Sequence, residues 1–196
     1  MINSYNIHAA KRFFHSIVQS SVVALQLESH KPTEDYISGM LTRFIQMDSF
    51  VSDGPQPILS DDIITISEKG DIYLFTTGYF RGNLIRQNKL DLFMLLGRRA
   101  YGSRVDELKS VADAYQRESI ENLSDICYRL YHAFEKYSSV VKHVRLNIDS
   151  KSNPVGLFWE YIETKDPDVL TYLHKIYTPE ELIRLIDLPK TLLDIF

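Results

Sequence analysis

The sequence predicts a mainly α-helical protein, a single compact multi-helix domain that spans residues 1–196. Apolar residues near the N-terminus recur in steps of three and four, a heptad pattern follows residue 123, and capping motifs mark two helix starts near the C-terminus. Of the 196 residues, 44% are hydrophobic and 24% are charged, as in an ordinary globular domain. A domain of this size buries a substantial core without disulfides or metals.

Two helices are predicted at the N-terminus. One face of the first helix, over residues 6–27, carries Ile7, Ala10, Phe14, Ile17, Ser21, Ala24 and Leu25. The second helix begins near Thr33, with Glu34 and Asp35 in a first turn where acidic side chains suit the helix dipole. Residues 52–62 contain one glycine and two prolines and predict a loop.

Residues 63–75 allow two alternatives. The β-prone runs at the two ends of this segment flank Glu-Lys-Gly-Asp and fit a short β-hairpin. A buried helix over residues 71–88 also fits, because Leu74, Gly78 and Ile85 share a helical stripe. We prefer the helix because the surrounding chain is predicted to be helical.

The second half of the chain contains the clearest helical pattern. Helices are predicted over residues 89–101 and 105–115, and a long helix over 120–146 carries a heptad seam. The seam consists of Leu123, Cys127, Leu130, Phe134, Tyr137, Val141 and Val144. We expect this long helix to lie at the centre of the fold. The alternative is that its seam faces a second chain, as in a coiled-coil homodimer.

Capping motifs organise the C-terminal segment. A turn is predicted over residues 147–154, followed by an aromatic helix or docked loop over 156–162. Asp166, which precedes a proline, fits a capped helix start. Thr178 and Glu181 fit the capping box of the last helix, after which the apolar tail TLLDIF is expected to fold back onto the domain.

Motifs for catalysis, nucleotide binding or metal binding are absent from the sequence. GRRAYG lacks the Lys-Ser/Thr pair of a phosphate-binding loop. Cys127 is the only cysteine, so neither an intramolecular disulfide nor a thiolate metal cluster can form within the chain. His8 and His15 can share one helix face but lack the carboxylate spacing of a metal site. We therefore expect no cofactor, no metal and no catalytic residue.

A central segment dense in glycine, aromatic residues and arginine is the best candidate for function. Residues 70–102 hold five of the eight glycines, and glycine in a helix costs about 1 kcal/mol relative to alanine. Close approach of neighbouring backbones would explain that cost. Arginine binds carboxylates and phosphates, and aromatic rings supply contact area. The candidate binding residues are Tyr79, Phe80, Arg81, Arg98 and Tyr101.

These features predict a non-catalytic interaction or regulatory protein that binds a protein partner through an aromatic and arginine surface. One alternative is a small anionic ligand, held by an arginine in an aromatic-lined pocket near Gly78 and Gly97. Another is an enzyme of unrecognised type. The net charge of −4 disfavours nucleic acid as a partner. Neither a signal peptide nor a membrane span is recognisable, so a cytoplasmic location is the default expectation.

Several positions of the sequence together form a signature. They are Gly70-Asp71, Gly78-Tyr79-Phe80, Leu92-Phe93 and Gly97 with Ala100-Tyr101, preceded by Glu34-Asp35-Tyr36 in the second predicted helix. This signature resembles that of a family of bacterial proteins of similar length, which has tyrosine at the position of Leu92. That family has no assigned activity. The resemblance therefore implies a bacterial origin and a mainly helical domain, and it transfers no catalytic residue.

Overall fold

A computed structural model describes residues 4–45, 66–115 and 118–186. Within these ranges the chain forms ten α-helices and no strand, which confirms the predicted mainly α class. The helices are α1 (Ser4–Ala24), α2 (Lys31–Ile45), α3 (Ile66–Tyr79), α4 (Arg81–Arg86), α5 (Leu90–Tyr115), α6 (Glu118–His132), α7 (Phe134–Ser152), α8 (Pro154–Thr164), α9 (Pro167–Leu173) and α10 (Pro179–Ile186). The predicted loop over 52–62 and the tail over 191–196 lie outside the described residues.

Backbone contacts divide the chain into two compact units, Met1–Val144 and Arg145–Phe196. The core of the second unit consists of Leu146, Leu157, Phe158, Val169, Tyr172, Leu173 and Leu182. In the same unit the buried guanidinium of Arg145 forms ion pairs with Asp149, at 2.9 Å, and with Glu160. A single domain over residues 1–196 stays a prediction.

Helix α3 is the most enclosed helix of the first unit. Each residue from 70 to 78 is buried, because apolar or small side chains occupy every side of this segment except at Asp71. The hairpin alternative is wrong for residues 66–75, and residues 63–65 lie outside the described part of the chain. The expectation that the helix over 120–146 lies at the centre of the fold stays a prediction.

The predicted helices over 89–101 and 105–115 form one continuous helix, α5. Gly102 does not end this helix. A side chain added there would meet the Tyr131 ring at 3.2 Å, so this glycine makes room for a neighbouring aromatic side chain.

The single helix predicted over 120–146 is instead two helices, α6 and α7, which are separated at Ala133. Helix α7 continues to Ser152, so the predicted turn over 147–154 is wrong; only Asn153 interrupts the helices. The Asn153 side chain accepts a 3.0 Å hydrogen bond from Gly156 N–H and caps α8. Six seam residues are buried within the chain, so the seam packs intramolecularly. They are Cys127, Leu130, Phe134, Tyr137, Val141 and Val144.

The capping motifs predicted near the C-terminus are confirmed. Asp166 caps α9 by accepting a 3.0 Å hydrogen bond from Asp168 N–H. Thr178 N–H donates to Glu181 Oε2 at 2.8 Å, and Glu181 N–H donates to Thr178 Oγ1 at 3.3 Å. These reciprocal hydrogen bonds satisfy two N–H groups that the first turn of α10 would otherwise leave unpaired.

Candidate functional site

A buried carboxylate, Asp71, links three helices of the first unit. Its Oδ1 accepts hydrogen bonds from the phenol of Tyr36 at 2.7 Å and from the phenol of Tyr101 at 2.8 Å. Its Oδ2 accepts a 2.7 Å hydrogen bond from Arg43 Nη2. Asp71 is 3% exposed, whereas the Arg43 side chain is 62% exposed and covers the network on the solvent side. The network therefore joins α2, α3 and α5 through one acidic group.

Burial shifts the pKa values of Asp71 and of two groups near it, Tyr101 and Cys127, toward the protonated forms. Burial raises the pKa of Asp71, and its three hydrogen-bond donors oppose that shift. Burial, and then the Asp71 charge, raise the pKa of Tyr101 well above its ordinary value. The same two causes raise the pKa of Cys127 to about 11, so its thiol is protonated at neutral pH. Because Asp71 and Cys127 are buried and Asp71 contacts side chains of two other helices, the cluster is suited to holding helices together.

Two of the predicted binding residues, Tyr79 and Phe80, lie in an aromatic cluster built around Phe75. The ring centroid of Phe75 is 5.0 Å from that of Tyr79 and 5.8 Å from that of Phe80. Phe44 from α2 stacks on Phe75 at 4.9 Å. Both predicted residues are thus half-buried by contacts inside the first unit.

Tyr101 requires a correction. Its exposure is 0% and its hydroxyl is bonded to Asp71, so it offers no ring to an exposed binding surface. The aromatic part of the predicted surface is accordingly reduced to the outer edges of Tyr79 and Phe80.

The two predicted arginines, Arg81 and Arg98, come together at one pocket of about 390 Å³. Arg81 begins the short helix α4, and Arg98 lies two turns into α5. Lys136, in the first turn of α7, supplies a third cation. The pocket lies beside Ala133, where the chain passes from α6 to α7.

Arg81 is the unusual group of this pocket. Its Nη1 atom is buried and has no hydrogen-bond partner among the described residues. Two acids, Asp91 and Glu135, line the same pocket, yet Arg81 forms no ion pair with either. An unpaired buried donor costs about 1–3 kcal/mol. Arg98, by contrast, is exposed and lies over the Tyr131 ring at 5.3 Å.

The rest of the pocket lining is largely apolar. It includes Leu90, Met94, Leu95, Ala133 and Phe134. The volume of the pocket lies within the roughly 300–1,000 Å³ that small-molecule sites span. Cations beside an apolar wall match a ligand that has an acidic group and an apolar body.

Neighbouring helices approach closely at Gly78 and Gly97. A side chain added at Gly78 would collide with Val141, and would meet the Ser138 carbonyl oxygen at 2.7 Å. A side chain added at Gly97 would collide with Phe134. These glycines therefore allow close helix packing, as predicted, and the space beside them is filled.

Sequence reasoning missed several groups that the structure brings together. Asp71 had a visible signal, since it is an acid within an otherwise apolar or small run at residues 70–78. Tyr36 belongs to the signature described above, but no local spacing pairs it or Arg43 with Asp71, because both lie on a different helix. Lys136 also gave no signal, because it reaches the arginines only through the packing of α7.

The described ranges contain neither a metal-binding cluster nor a helix that could cross a membrane. No group of three or more histidine, cysteine, aspartate or glutamate side chains there could hold a metal ion. Nor does any helix in those ranges combine the length and apolar character that a membrane crossing requires.

Comparison of the chain with protein-family models, with curated proteins and with solved structures finds no match. The resemblance to a bacterial family stays a prediction. The function is therefore inferred from the geometry of the site.

Proposed function

We propose that this protein binds a small organic acid in the pocket lined by Arg81, Arg98 and Lys136. The single observation that carries the proposal is the buried Nη1 of Arg81, which has no partner among the described residues. Buried polar groups are nearly always hydrogen-bonded, so an unpaired guanidinium nitrogen calls for an explanation. A bound carboxylate or phosphate would supply the missing acceptor.

Charge and shape support the same ligand class. Three cations and two acids line the pocket. The lining therefore carries an excess of positive charge that a bound anion would offset. Arginine presents a planar set of donors that pairs with two oxygens of one acidic group. The apolar residues beside it, such as Met94 and Phe134, favour a ligand whose body is hydrocarbon.

A binding assay with defined acids tests this proposal. Octanoate, phenylacetate and phenyl phosphate are titrated by calorimetry into the wild type, into Arg81→Met and into Arg86→Met. Arg86 is an exposed arginine on the same helix, so its variant controls for the loss of one charge. We expect at least one acid to bind and Arg81→Met to weaken it at least tenfold, with Arg86→Met near wild type. Equal binding by all three proteins, or no binding of any acid, would refute the proposal.

An acidic side chain of a protein partner is a second candidate for the same pocket. Leu92 and Leu95 on α5 are 51% and 49% exposed, and Leu95 also lines the pocket. Exposed apolar side chains beside a cationic site are typical of a protein interface. A Leu92→Glu variant would reduce binding of a protein partner while leaving binding of a small acid unchanged.

A further inference from the structure

A second cationic groove, separate from the Arg81 pocket, lies between the first half of α1 and the start of α2. Its volume is about 490 Å³. The side chains that line it are His8, Lys11, Arg12, His15, Lys31 and Asp35. Five of these six are basic, although the whole chain has a net charge of −4.

The basic residues of α1 follow the periodicity of one helix face. His8, Lys11, Arg12 and His15 stand at positions i, i+3, i+4 and i+7. Side chains at this spacing are neighbours on one side of the helix, and α1 contains no aspartate or glutamate between Ser4 and Ala24. Lys11 and Arg12 therefore place two permanent positive charges on this face with no acidic neighbour on the same helix.

The protein itself supplies little compensation for this stripe. Among the described lining residues, Asp35 is the only acid, and it already contacts His15 Nδ1 at 3.0 Å. Lys11, Arg12 and Lys31 form no ion pair with any described residue. These three side chains are exposed and available to a ligand.

We infer that this groove binds the oligophosphate group of a small ligand. The permanent charges of Lys11, Arg12 and Lys31 match an anion with several negative charges better than a single carboxylate. Arg12 offers planar donors to phosphate oxygens, while the lysines act as point charges. The stripe from His8 to His15 rises about 10 Å along the helix axis, a length suited to one short phosphate chain.

Inorganic oligophosphate and a nucleotide share this chemistry, and titrations can separate them. Tripolyphosphate, ATP and AMP are each titrated at one ionic strength, because exposed charges are screened by salt. The proteins are the wild type, a Lys11→Ala/Arg12→Ala variant and a Lys151→Ala/Arg184→Ala variant. The last pair removes the same charge from exposed positions of the second unit. Arg81→Met is added to separate this groove from the pocket proposed above.

We expect tripolyphosphate, ATP or both to bind at least tenfold more tightly than AMP. The Lys11→Ala/Arg12→Ala variant should lose at least tenfold in affinity, while the matched control and Arg81→Met remain near wild type. If tripolyphosphate equals ATP, the phosphate chain alone is recognised; if ATP is tighter, the nucleoside adds contacts. The inference is overturned if neither oligophosphate binds, if AMP binds as tightly, or if both double variants weaken binding equally. Loss of binding in Arg81→Met alone would also overturn it.

Discussion

The phenol of Tyr101 on α5 donates a 2.8 Å hydrogen bond to Asp71 Oδ1 on α3, and both groups are buried. Tyr36 donates to the same oxygen from α2 at 2.7 Å. One carboxylate oxygen thus ties two other helices to the most enclosed helix of the first unit. The contact determines how these helices are positioned, and it can be tested by removing single hydroxyl groups.

Tyr101→Phe is expected to lower the free energy of unfolding by about 1–3 kcal/mol, because it removes a hydrogen-bond donor from a buried carboxyl oxygen. Tyr36→Phe should act in the same direction, and the double variant should be non-additive because both phenols share Asp71. Urea denaturation measures each value. Tyr128→Phe is the control, since Tyr128 is 47% exposed. A Tyr101→Phe protein as stable as this control would contradict the role assigned to the hydrogen bond.

The stability contributed by Asp71 should depend on pH. Burial raises the pKa of Asp71 in the folded protein above its ordinary value of 3.8. The folded state therefore keeps this proton at a pH where the unfolded chain has released it. The resulting stability is fully present below pH 3.8 and is lost as the pH rises through the folded value.

Asp71→Asn provides the comparison for this pH dependence. Unfolding free energies of both proteins are measured from about pH 3.5 to about pH 6.5. The stability of the wild type relative to Asp71→Asn should fall as the pH rises. A relative stability that rises with pH would mean that Tyr36, Tyr101 and Arg43 lower the pKa of Asp71 more than burial raises it.

Cys127 should react slowly in the native protein. Its pKa of about 11, against an ordinary value of 9.0, reduces the thiolate fraction about 100-fold near neutral pH. Burial of the side chain slows the reaction further, because the reagent must reach the sulfur. Modification by a thiol reagent is timed in buffer and in denaturing urea, where the same cysteine is exposed. Equal rates in the two conditions would show that the thiol is accessible in the native state.

Two glycines should resist substitution by alanine while a third tolerates it. Gly78→Ala places a methyl group against Val141 and the Ser138 carbonyl, and Gly97→Ala places one against Phe134. Overpacking of this kind costs about 1–3 kcal/mol. A side chain added at Gly39, within α2, would meet nothing within 4 Å. Gly39→Ala should therefore be neutral or stabilising by up to about 1 kcal/mol. A Gly78→Ala protein that is more stable than Gly39→Ala would contradict the close packing assigned to Gly78.

Arg81→Met should stabilise the ligand-free protein by about 1 kcal/mol, because it removes a buried donor that has no acceptor. Thermal and urea unfolding without added anions measure this effect. Arg86→Met should stay within about 0.5 kcal/mol of wild type, as surface substitutions usually do. A marked loss of stability in Arg81→Met would indicate that the guanidinium supports the fold and is not reserved for a ligand.

The sequence by itself determined the helical class and much of the local structure. The apolar periodicity of α1, the capping box at Thr178 and the Asp166 cap are local features, since each depends on residues within a few positions of one another. The glycine-rich centre also correctly indicated close packing, because the cost of glycine in a helix calls for a spatial reason.

Only the tertiary structure decided where these helices end and which side chains meet. The sequence predicts two helices over 89–101 and 105–115, yet α5 continues through Gly102, which makes room for the Tyr131 ring. The sequence predicts that Tyr101 belongs to a binding surface, yet Asp71 holds its hydroxyl in the core. Lys136 and Arg81 meet at one pocket only because α7 packs beside α4 and α5. Contacts between residues distant in sequence depend on how whole helix faces fit together, and local spacing does not contain that information.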